Sequence, residues 1–276
     1  MDKLDSLLKH SSLTTQVFYA GQMSDSDRQN EATGMGRLHV LYAGHLHLQL
    51  RNRPALSISE PSLILFPRPI YCQINPELGN ELGVQIVSAH IDFGLAMSAT
   101  LTPSIPDVLV IPLIQTPQFR TILDLLLEEA THKNCGKRVA LNHLMNYFLL
   151  LLLRYLMEGD AVKTGILAAL TDAKLAIAVT AMHDQPHMNW TLDNLAQAAG
   201  MSRSRFANHF RLTTGMTALG YLTIWRLEIT KNHLKEGESL KSIAPKVGYS
   251  SAEALIRSFS RHTHQTPKDW LKLQTK

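Results

Sequence analysis

The stretch from Asn189 to Phe210, NWTLDNLAQAAGMSRSRFANHF, constrains the fold of this chain more than any other. Thr191 stands where a helix N-cap belongs, and Asp193 follows in the first turn, where a negative charge interacts favourably with the helix dipole. Gly200 stands where a helix C-terminus needs a residue that tolerates positive φ, and Ser202 can cap a second helix. The pattern predicts two short helices around a tight turn.

The second of these helices separates inward from outward positions. Phe206 and Phe210 lie four residues apart on the predicted inner face. The outward positions are Arg203, Ser204, Arg205, Ala207, Asn208 and Arg211. A short outward helix with three arginines behind a glycine turn is the geometry of a recognition helix in a helix-turn-helix unit.

A second stretch, SLKSIAPKVGYSSAEALIRSFSRH at residues 239–262, repeats this pattern. A shift of 49 residues places Ser202 on Ser251, Phe206 on Leu255 and Phe210 on Phe259. Gly248 makes the turn, and Ser250 or Ser251 caps the last helix. We therefore expect two helix-turn-helix units joined by a long helix at residues 217–237.

Charge is distributed unevenly along the chain. Residues 166–276 contain 14 Lys and Arg residues against 8 Asp and Glu residues, whereas residues 1–165 contain 13 against 15. The basic C-terminal part indicates an anionic partner, although chance surface charge would give the same balance.

Several features favour a cytoplasmic protein. The N-terminus has acidic residues and no long apolar region, so it does not predict a secretory signal. The longest apolar run, from Tyr147 to Leu153, is far shorter than the ~20 residues that span a bilayer. The two cysteines, Cys72 and Cys135, are too few for a disulfide framework and are typical of a reduced cytosol. We expect no membrane segment.

The N-terminal 113 residues predict a short helix followed by strands. Residues 1–10 place Leu4, Leu7 and Leu8 on one helix face. Candidate strands follow, separated by Gly, Pro and Asn turn signals, at residues 14–20, 36–43, 45–51, 62–67, 71–74, 84–93 and 108–113. Many short strands at close spacing favour an antiparallel barrel or jelly roll.

A helical hairpin is predicted next, with its joint at Cys135 and Gly136. Its second helix is apolar over more than one stripe, so we expect it to contact more than one neighbour. A homodimer interface is the preferred interpretation, and burial within its own domain is the alternative. A linker is expected between Gly159 and Asp172.

Six motifs in the C-terminal part belong together: W-T-x-x-x-L-A at 190–196, G-M-S-R-S-x-F at 200–206, F-R-x-x-T-G at 210–215, Y-L-x-x-W-R-L at 221–227, I-A-x-x-V-G-Y-S-S at 243–251 and Thr266-Pro267. On these motifs, residues 172–273 resemble the DNA-binding domain of the AraC/XylS family of bacterial transcription regulators. The chain departs from the family pattern at four positions. Thr217 stands where proline is usual, Leu255 where an aromatic residue is usual, and His264 where glycine is usual. Pro245 stands where a residue other than proline is usual. Because these departures fall mostly in the second unit, we expect the first recognition helix to carry the larger share of recognition.

The N-terminal part carries M-D-x-L-x-x-L-L at the start, H-x-L-x-x-G at 39–44 and F-P-R-x-x-x-C at 66–72. These resemble the cupin-type sensor domains of one AraC subgroup. The resemblance implies an α+β multidomain fold. Its parts are a cupin-like β-barrel (jelly roll) at 1–115, a helical linker and dimerisation hairpin at 116–165, and an all-α DNA-binding domain with two helix-turn-helix units at 166–276.

The family resemblance also implies which side chains face DNA. In the first recognition helix, Ser204, Ala207 and Asn208 face the major groove, with Arg203 and Arg205 beside them. In the second, the corresponding residues are Ala252, Glu253, Ile256 and Arg257. Arg203, Arg211 and Arg261 are expected to contact phosphates. Two alternatives are open: Glu253 could instead form a capping box with Ser250, and Arg226 on the linker helix could be structural or face DNA.

The cupin resemblance implies a metal site at His39, Cys72 and His90. In the subgroup these positions usually hold His, His and Cys, so the last two types are exchanged here. Two imidazoles and a thiolate are a plausible ligand set for zinc or copper. His45 and His47 are rival ligands on one side of their strand, and all of these residues could instead be ordinary strand or core residues.

Two other types of effector are compatible with the same domain. Cys72 near an imidazolium or a metal could be a redox-sensitive thiol. A small organic effector could bind inside the barrel against Ile64, Phe66, Val84 and Ile86, although such a lining looks the same as a plain core.

The predicted function is that of a sequence-specific transcription regulator. It is controlled by a metal, an oxidant or a small molecule at the N-terminal domain. Expected partners are double-stranded promoter DNA, RNA polymerase and a second copy of the chain. The alternative is a metal-dependent cupin enzyme with an appended DNA-binding domain. It is disfavoured because no carboxylate accompanies the His/Cys set as a general base.

Overall fold

The structure is a computed structural model that describes residues 3–8, 13–23, 29–30, 35–51, 53–77, 83–94, 98–99, 102, 105–159 and 163–274. The chain divides into two compact units. One contains residues 14–92 and 105–159, and the other contains residues 1–13, 93–104 and 160–276. The predicted boundaries at residues 115 and 165 stay predictions.

The first unit is built on two antiparallel sheets. Its strands are β1 (Thr14–Met23), β2 (Gln29–Asn30), β3 (Gly36–Ala43), β4 (Leu46–Leu50), β5 (Leu56–Ile58), β6 (Ser62–Phe66), β7 (Cys72–Pro76), β8 (Val84–Asp92) and β9 (Leu109–Pro112). One sheet has the order β1-β8-β3-β6-β9 and the other β2-β7-β4-β5. This confirms the predicted cupin-like β-sheet architecture.

Two of the described strands were not expected from the sequence. β2 is only two residues long, and β5 pairs with β4 alone at the edge of its sheet. Pro54 and Pro61 flank β5 and read as turn signals, although proline is tolerated beside a short edge strand.

The core of this unit lies between the sheets. Alternate side chains of the strands point to the same face, and both sheets contribute to one buried apolar cluster. Its members are Met23, Leu41, Leu46, Leu48, Leu50, Ile58, Ile64, Phe66, Cys72, Ile74, Val84 and Ile86.

The predicted helical hairpin is present as α2 (Arg120–Thr131) and α3 (Lys137–Glu158). The chain turns between them at Gly136, whose φ is 78°. α3 contacts both α2 and the edge strand β1, which confirms the expectation of more than one neighbour. Asn142 Oδ1 accepts the backbone N–H of Val17 at 2.7 Å, and Asn146 Oδ1 accepts that of Thr15 at 2.8 Å. These amides therefore cover donors that an edge strand would otherwise leave open.

The second unit is helical in its described part. It contains α1 (Lys3–Leu8), α4 (Gly165–Thr171), α5 (Leu175–Asp184), α6 (Leu192–Ala198), α7 (Arg203–Thr214), α8 (Ala218–Lys235), α9 (Leu240–Lys246), α10 (Ala252–Thr263) and α11 (Pro267–Gln274). α1 packs against α5 and buries Leu4 and Leu7. Its Ser6 Oγ lies 3.3 Å from Nδ1 of His183, whose Nε2 lies 2.5 Å from the Tyr221 hydroxyl.

The linker expected between Gly159 and Asp172 is wrong over residues 165–171, which form α4. Ile166, Leu167 and Leu170 are fully buried because α4 packs against α5 and α7. Burial of this short apolar run, rather than any capping signal, stabilises the helix.

By length and composition alone, α3 could cross a membrane, and so could the bent pair α4–α5 if it were one segment. Buried core helices of globular proteins have the same length and composition. α3 buries Leu141, Phe148, Leu152 and four other residues within its own unit.

Candidate nucleic-acid interface and barrel interior

The first helix-turn-helix unit has the local structure that its sequence predicts. Thr191 Oγ1 accepts the backbone N–H of Asn194 at 3.3 Å, and Asn194 Oδ1 accepts that of Thr191 at 2.7 Å. This is a reciprocal capping box at the start of α6. Gly200 has a φ of 60° and turns the chain toward α7. Ser202 occupies the N-cap position of α7, but its side chain makes no capping bond.

The first recognition helix, α7, has an apolar inner face and a polar outer one. Phe206 and Phe210 are fully buried. The residues predicted to face DNA are exposed at Arg203, Ser204, Arg205, Asn208 and Arg211, and Ala207 is partly exposed. Arg203 lies 3.5 Å from Asp193, but both side chains are 66% exposed. Such a surface pair is weak, so Arg203 is available to a phosphate.

The second helix-turn-helix unit repeats this arrangement. Leu255 and Phe259 are fully buried beneath α10. On the other face, Glu253, Arg257 and Arg261 are exposed, while Ala252 and Ile256 are partly exposed. Both sets of predicted DNA-facing residues therefore lie on the accessible sides of their helices.

The cap of α10 is Ser251, whose Oγ accepts the backbone N–H of Ala254 at 3.2 Å. A capping box between Ser250 and Glu253 is thus not formed. A hydrogen bond from Ser251 lowers the pKa of the exposed Glu253 carboxyl. Glu253 is anionic at neutral pH and can accept a hydrogen bond from a cytosine amino group.

Arg226 on the linker helix α8 is held by backbone carbonyls. Its Nε donates to the carbonyl of Pro186, and its Nη2 donates to that of Met188, both at 2.8 Å. Arg226 therefore has a structural role, which is one of the two alternatives that the sequence left open.

The interior of the barrel contains a polar cluster at one end of its apolar core. His39 is fully buried on β3, opposite Ser88 on β8, and its Nδ1 lies 2.8 Å from the Ser88 hydroxyl. Its Nε2 is buried and has no hydrogen-bond partner. An unpaired buried nitrogen costs free energy unless a ligand satisfies it.

Three further residues, Arg37, His90 and Phe18, complete this cluster. Arg37 is two residues away on the same side of β3, pairs in register with His90, and donates to the carbonyl of Ile70 at 2.8 Å. The ring of Phe18 stacks on that of His90 with centroids 4.3 Å apart and meets His39 edge-on. Phe18 sits at a β-bulge in β1, which aims its side chain at these rings. The sequence analysis missed Arg37, Ser88 and Phe18, although strand alternation places Arg37 on the same side as His39.

The electrostatics of the cluster favour neutral forms. Burial, together with smaller contributions from the charges of Arg37 and His90, lowers the pKa of His39 to about 3. Burial likewise raises the pKa of the Cys72 thiol to about 11, against a smaller lowering by Arg37. The thiol is therefore protonated at neutral pH, and the thiolate is the reactive form.

The predicted ligand set His39, Cys72 and His90 is not assembled among the described residues. Their ligand atoms do not form a group within 4.8 Å of one another, whereas those of His233, Glu236 and Glu238 do. Cys72 belongs to the apolar cluster, and its Sγ lies 3.6 Å from the carbonyl oxygen of Gln73. Of these three residues, His39 has a buried ring nitrogen, Nε2, without a hydrogen-bond partner.

The other predicted effector residues lie elsewhere. His45 and His47 are half exposed and both contact the Glu77 carboxylate, at 3.3 and 3.4 Å. Ile64, Phe66, Val84 and Ile86 are fully buried within the packed core cluster.

Two family models match this chain. One, described as a cupin, covers residues 2–158, and the other, described as a helix-turn-helix domain, covers residues 195–273. Together they account for the β-sheet unit with its hairpin and for the two helix-turn-helix units.

Similar proteins carry matching descriptions. A putative AraC-like transcription regulator from Streptomyces lividans is 34% identical over 70% of this chain, and the chain spans 64% of that relative's length. An uncharacterized HTH-type transcriptional regulator from Haemophilus influenzae is 26% identical over 99% of this chain and 98% of its own length. A crystal structure of ToxT from Vibrio cholerae matches 94% of this chain and 98% of its own, with 16% identity and a TM-score of 0.40. This chain therefore belongs to the AraC-like transcription regulators that combine an N-terminal cupin domain with a C-terminal helix-turn-helix domain.

Proposed function

We propose that this protein binds promoter DNA sequence-specifically in the cytoplasm and regulates transcription there, under the control of a ligand at the cupin domain. The observation that carries the first part is the matched pair of recognition helices. Each helix buries two apolar side chains on its inner face. Its outer face presents arginines together with other side chains that can form hydrogen bonds or apolar contacts. Regulation rather than catalysis is supported by the relatives, which are named as regulators.

The roles of the exposed side chains follow from their chemistry. Asn208 can pair with adenine and Arg257 with guanine, each through two hydrogen bonds. Arg203, Arg211 and Arg261 add phosphate neutralisation, which gives affinity without sequence preference. Direct contact with RNA polymerase, the enzyme whose activity at the promoter is regulated, is part of the proposal.

The test is selection of binding sites from random double-stranded DNA by the full chain, followed by titrations with variants. Asn208→Ala and Arg257→Ala should each weaken binding to the selected site by ~1–3 kcal/mol. Their binding to unrelated DNA should change little. Arg154→Ala, which removes an exposed cation from α3 in the other unit, is the matched control. Unchanged affinity of both variants for the selected site would contradict the assignment.

Ligand control is proposed on the buried polar cluster of the barrel. The unpaired Nε2 of His39, beside Arg37 and His90, is a position where a bound group would gain a hydrogen bond or a coordinate bond. Zinc or copper on His39, Cys72 and His90 stays a prediction, as does redox sensing by Cys72. Elemental analysis of the purified protein, with His39→Ala and Cys72→Ser alongside, tests the metal. Less than about 0.1 metal per chain would leave a non-metal effector as the ligand to search for.

A homodimer through the helical hairpin completes the proposal. Leu125, Val139 and Tyr147 are large apolar side chains that stay about half exposed on α2 and α3. Exposed apolar side chains on one hairpin are typical of an interface. Light scattering of the wild type and of a Val139→Glu variant compares the two oligomeric states, and only the wild type should be dimeric.

A further inference from the structure

Arg226 joins the linker helix α8 to the segment that precedes the first helix-turn-helix unit. Its guanidinium donates to the carbonyls of Pro186 and Met188. The indole N–H of Trp190 donates to the carbonyl of Gln185 at 2.9 Å and closes the same loop. Because the guanidinium is a planar fork, two bonds to two carbonyls fix its orientation as well as its position.

The same guanidinium contacts the turn of the second helix-turn-helix unit. A Cβ at Gly248 would lie 2.6 Å from Nη2 of Arg226 and 2.8 Å from the carbonyl oxygen of His187. The φ of Gly248 is also 76°, so glycine is required there for two reasons. The loop before α6, the linker helix and the turn between α9 and α10 thus meet without space for a side chain.

Tyr249 extends this contact to the second recognition helix. The Arg226 guanidinium lies over its ring, 5.8 Å from the centroid. Its hydroxyl lies 2.8 Å from that of Ser258 in the middle of α10. One side chain of the linker helix is therefore connected to the entrance of the first unit and to the recognition helix of the second.

We infer that the Arg226 joint, defined as Arg226, Gly248, Tyr249 and the carbonyls of Pro186 and Met188, sets the separation of the two recognition helices. It thereby selects the spacing between the two DNA boxes that the protein accepts. This inference rests on the proposed function. Two recognition helices on one rigid body reach successive major grooves about 34 Å apart, and one inserted base pair displaces the second box by about 3.4 Å. A stiff joint penalises that displacement, whereas a loose joint tolerates it and lowers the effective concentration of the second unit at its box.

The experiment uses the full chain and the site that it selects from random DNA. Three probes are compared: the selected site, the same site with its second box scrambled, and sites with one base pair added or removed between the boxes. Arg226→Gln removes the fork, Arg226→Lys keeps the charge but not the fork, and Gly248→Ala opens the joint from the other side. Arg154→Gln controls for the loss of one positive charge, and circular dichroism and melting temperature report folding.

We expect the variants to lose more affinity for the selected two-box site than for the single-box probe. Arg226→Gln and Gly248→Ala should bind the selected site about 10-fold more weakly and the single-box probe less than about 3-fold more weakly. The wild-type preference for the natural spacing over the altered spacings should shrink by a similar factor. If Arg226→Gln does not fold, Arg226→Lys and Gly248→Ala give the result, because each perturbs one side of the joint.

The outcomes separate the inference from the function on which it rests. Equal losses on both probes, with an unchanged spacing preference, would show that Arg226 only stabilises the domain and would overturn the inference alone. A wild-type protein that enriches no DNA sequence would overturn the proposed function, and the inference with it.

Discussion

The buried imidazole of His39 should make the β-sheet unit sensitive to mild acid. Its pKa is about 3 in the folded state, against an ordinary value of 6.5. The unfolded state therefore binds the proton more tightly than the folded state does, and stability falls as pH falls from about 6.5 toward 3. A pH of 5 lies about 1.5 units below the pKa of this imidazole in the unfolded state. The free energy of unfolding is therefore lower by about 2 kcal/mol, or about 30-fold in the folding equilibrium.

Amide hydrogen exchange is the suitable assay. The three tryptophans, Trp190, Trp225 and Trp270, all lie in the helical unit, so their fluorescence does not report on the sheets. Protection of peptides from β3 and β8 measures the local opening free energy of the strands that hold His39. After correction for intrinsic exchange, this protection should fall about 30-fold between pH 7 and pH 5 in the wild type.

The comparison that isolates His39 uses two variants. His39→Gln cannot titrate, so its protection should lack the 30-fold decrease whatever its stability at pH 7. His45→Gln removes a half-exposed histidine of the other sheet and should behave like the wild type. If His39→Gln and the wild type lose protection equally between pH 7 and pH 5, another group is responsible and the reasoning is refuted.

Three further perturbations test local features. Thr191→Ala should destabilise the helical unit by about 1 kcal/mol in thermal melts followed by tryptophan fluorescence, because it removes a capping bond, whereas Ser202→Ala should have almost no effect because Ser202 makes none. His264→Gly should raise the stability of the same unit by about 1 kcal/mol, since His264 has a φ of 58° at the end of α10. Ellman's reagent at pH 7.5 should modify exposed Cys135 in the native protein and reach buried Cys72 only after denaturation, and rapid modification of two thiols in the native state would contradict this.

The helical unit could be predicted closely because its signals are local. Thr191, Gly200 and Ser251 each act within four residues of their position, through a cap or a positive φ. The shift of 49 residues that aligned the two units also aligned their buried residues, since the same inner positions of a helix are filled in both. Contacts between distant segments were beyond such reasoning: nothing near Ser6 indicates that it meets His183.

The barrel interior was harder to predict because its cluster depends on strand register. Strand register places Ser88 opposite His39 and Arg37 opposite His90, neighbours that the sequence reasoning did not identify, and a metal site that also includes Cys72 stays a prediction. A one-residue change of register moves every side chain to the other face, so the sequence alone does not decide which groups meet. The alternation of Arg37 and His39 on β3 was the one signal available.

The expected inequality between the two recognition helices is not supported by their scaffolds. α10 has a capping bond from Ser251 that α7 lacks at Ser202, and the Tyr249 hydroxyl holds it at Ser258. Leu255 is as completely buried as Phe206, which occupies the corresponding position in the first helix-turn-helix unit. The departures from the family pattern therefore affect strain and packing behind the second helix and leave its outward face intact. Any difference in the share of recognition must come from the outward side chains themselves, where the second helix offers Glu253 and Arg257, both able to discriminate between bases.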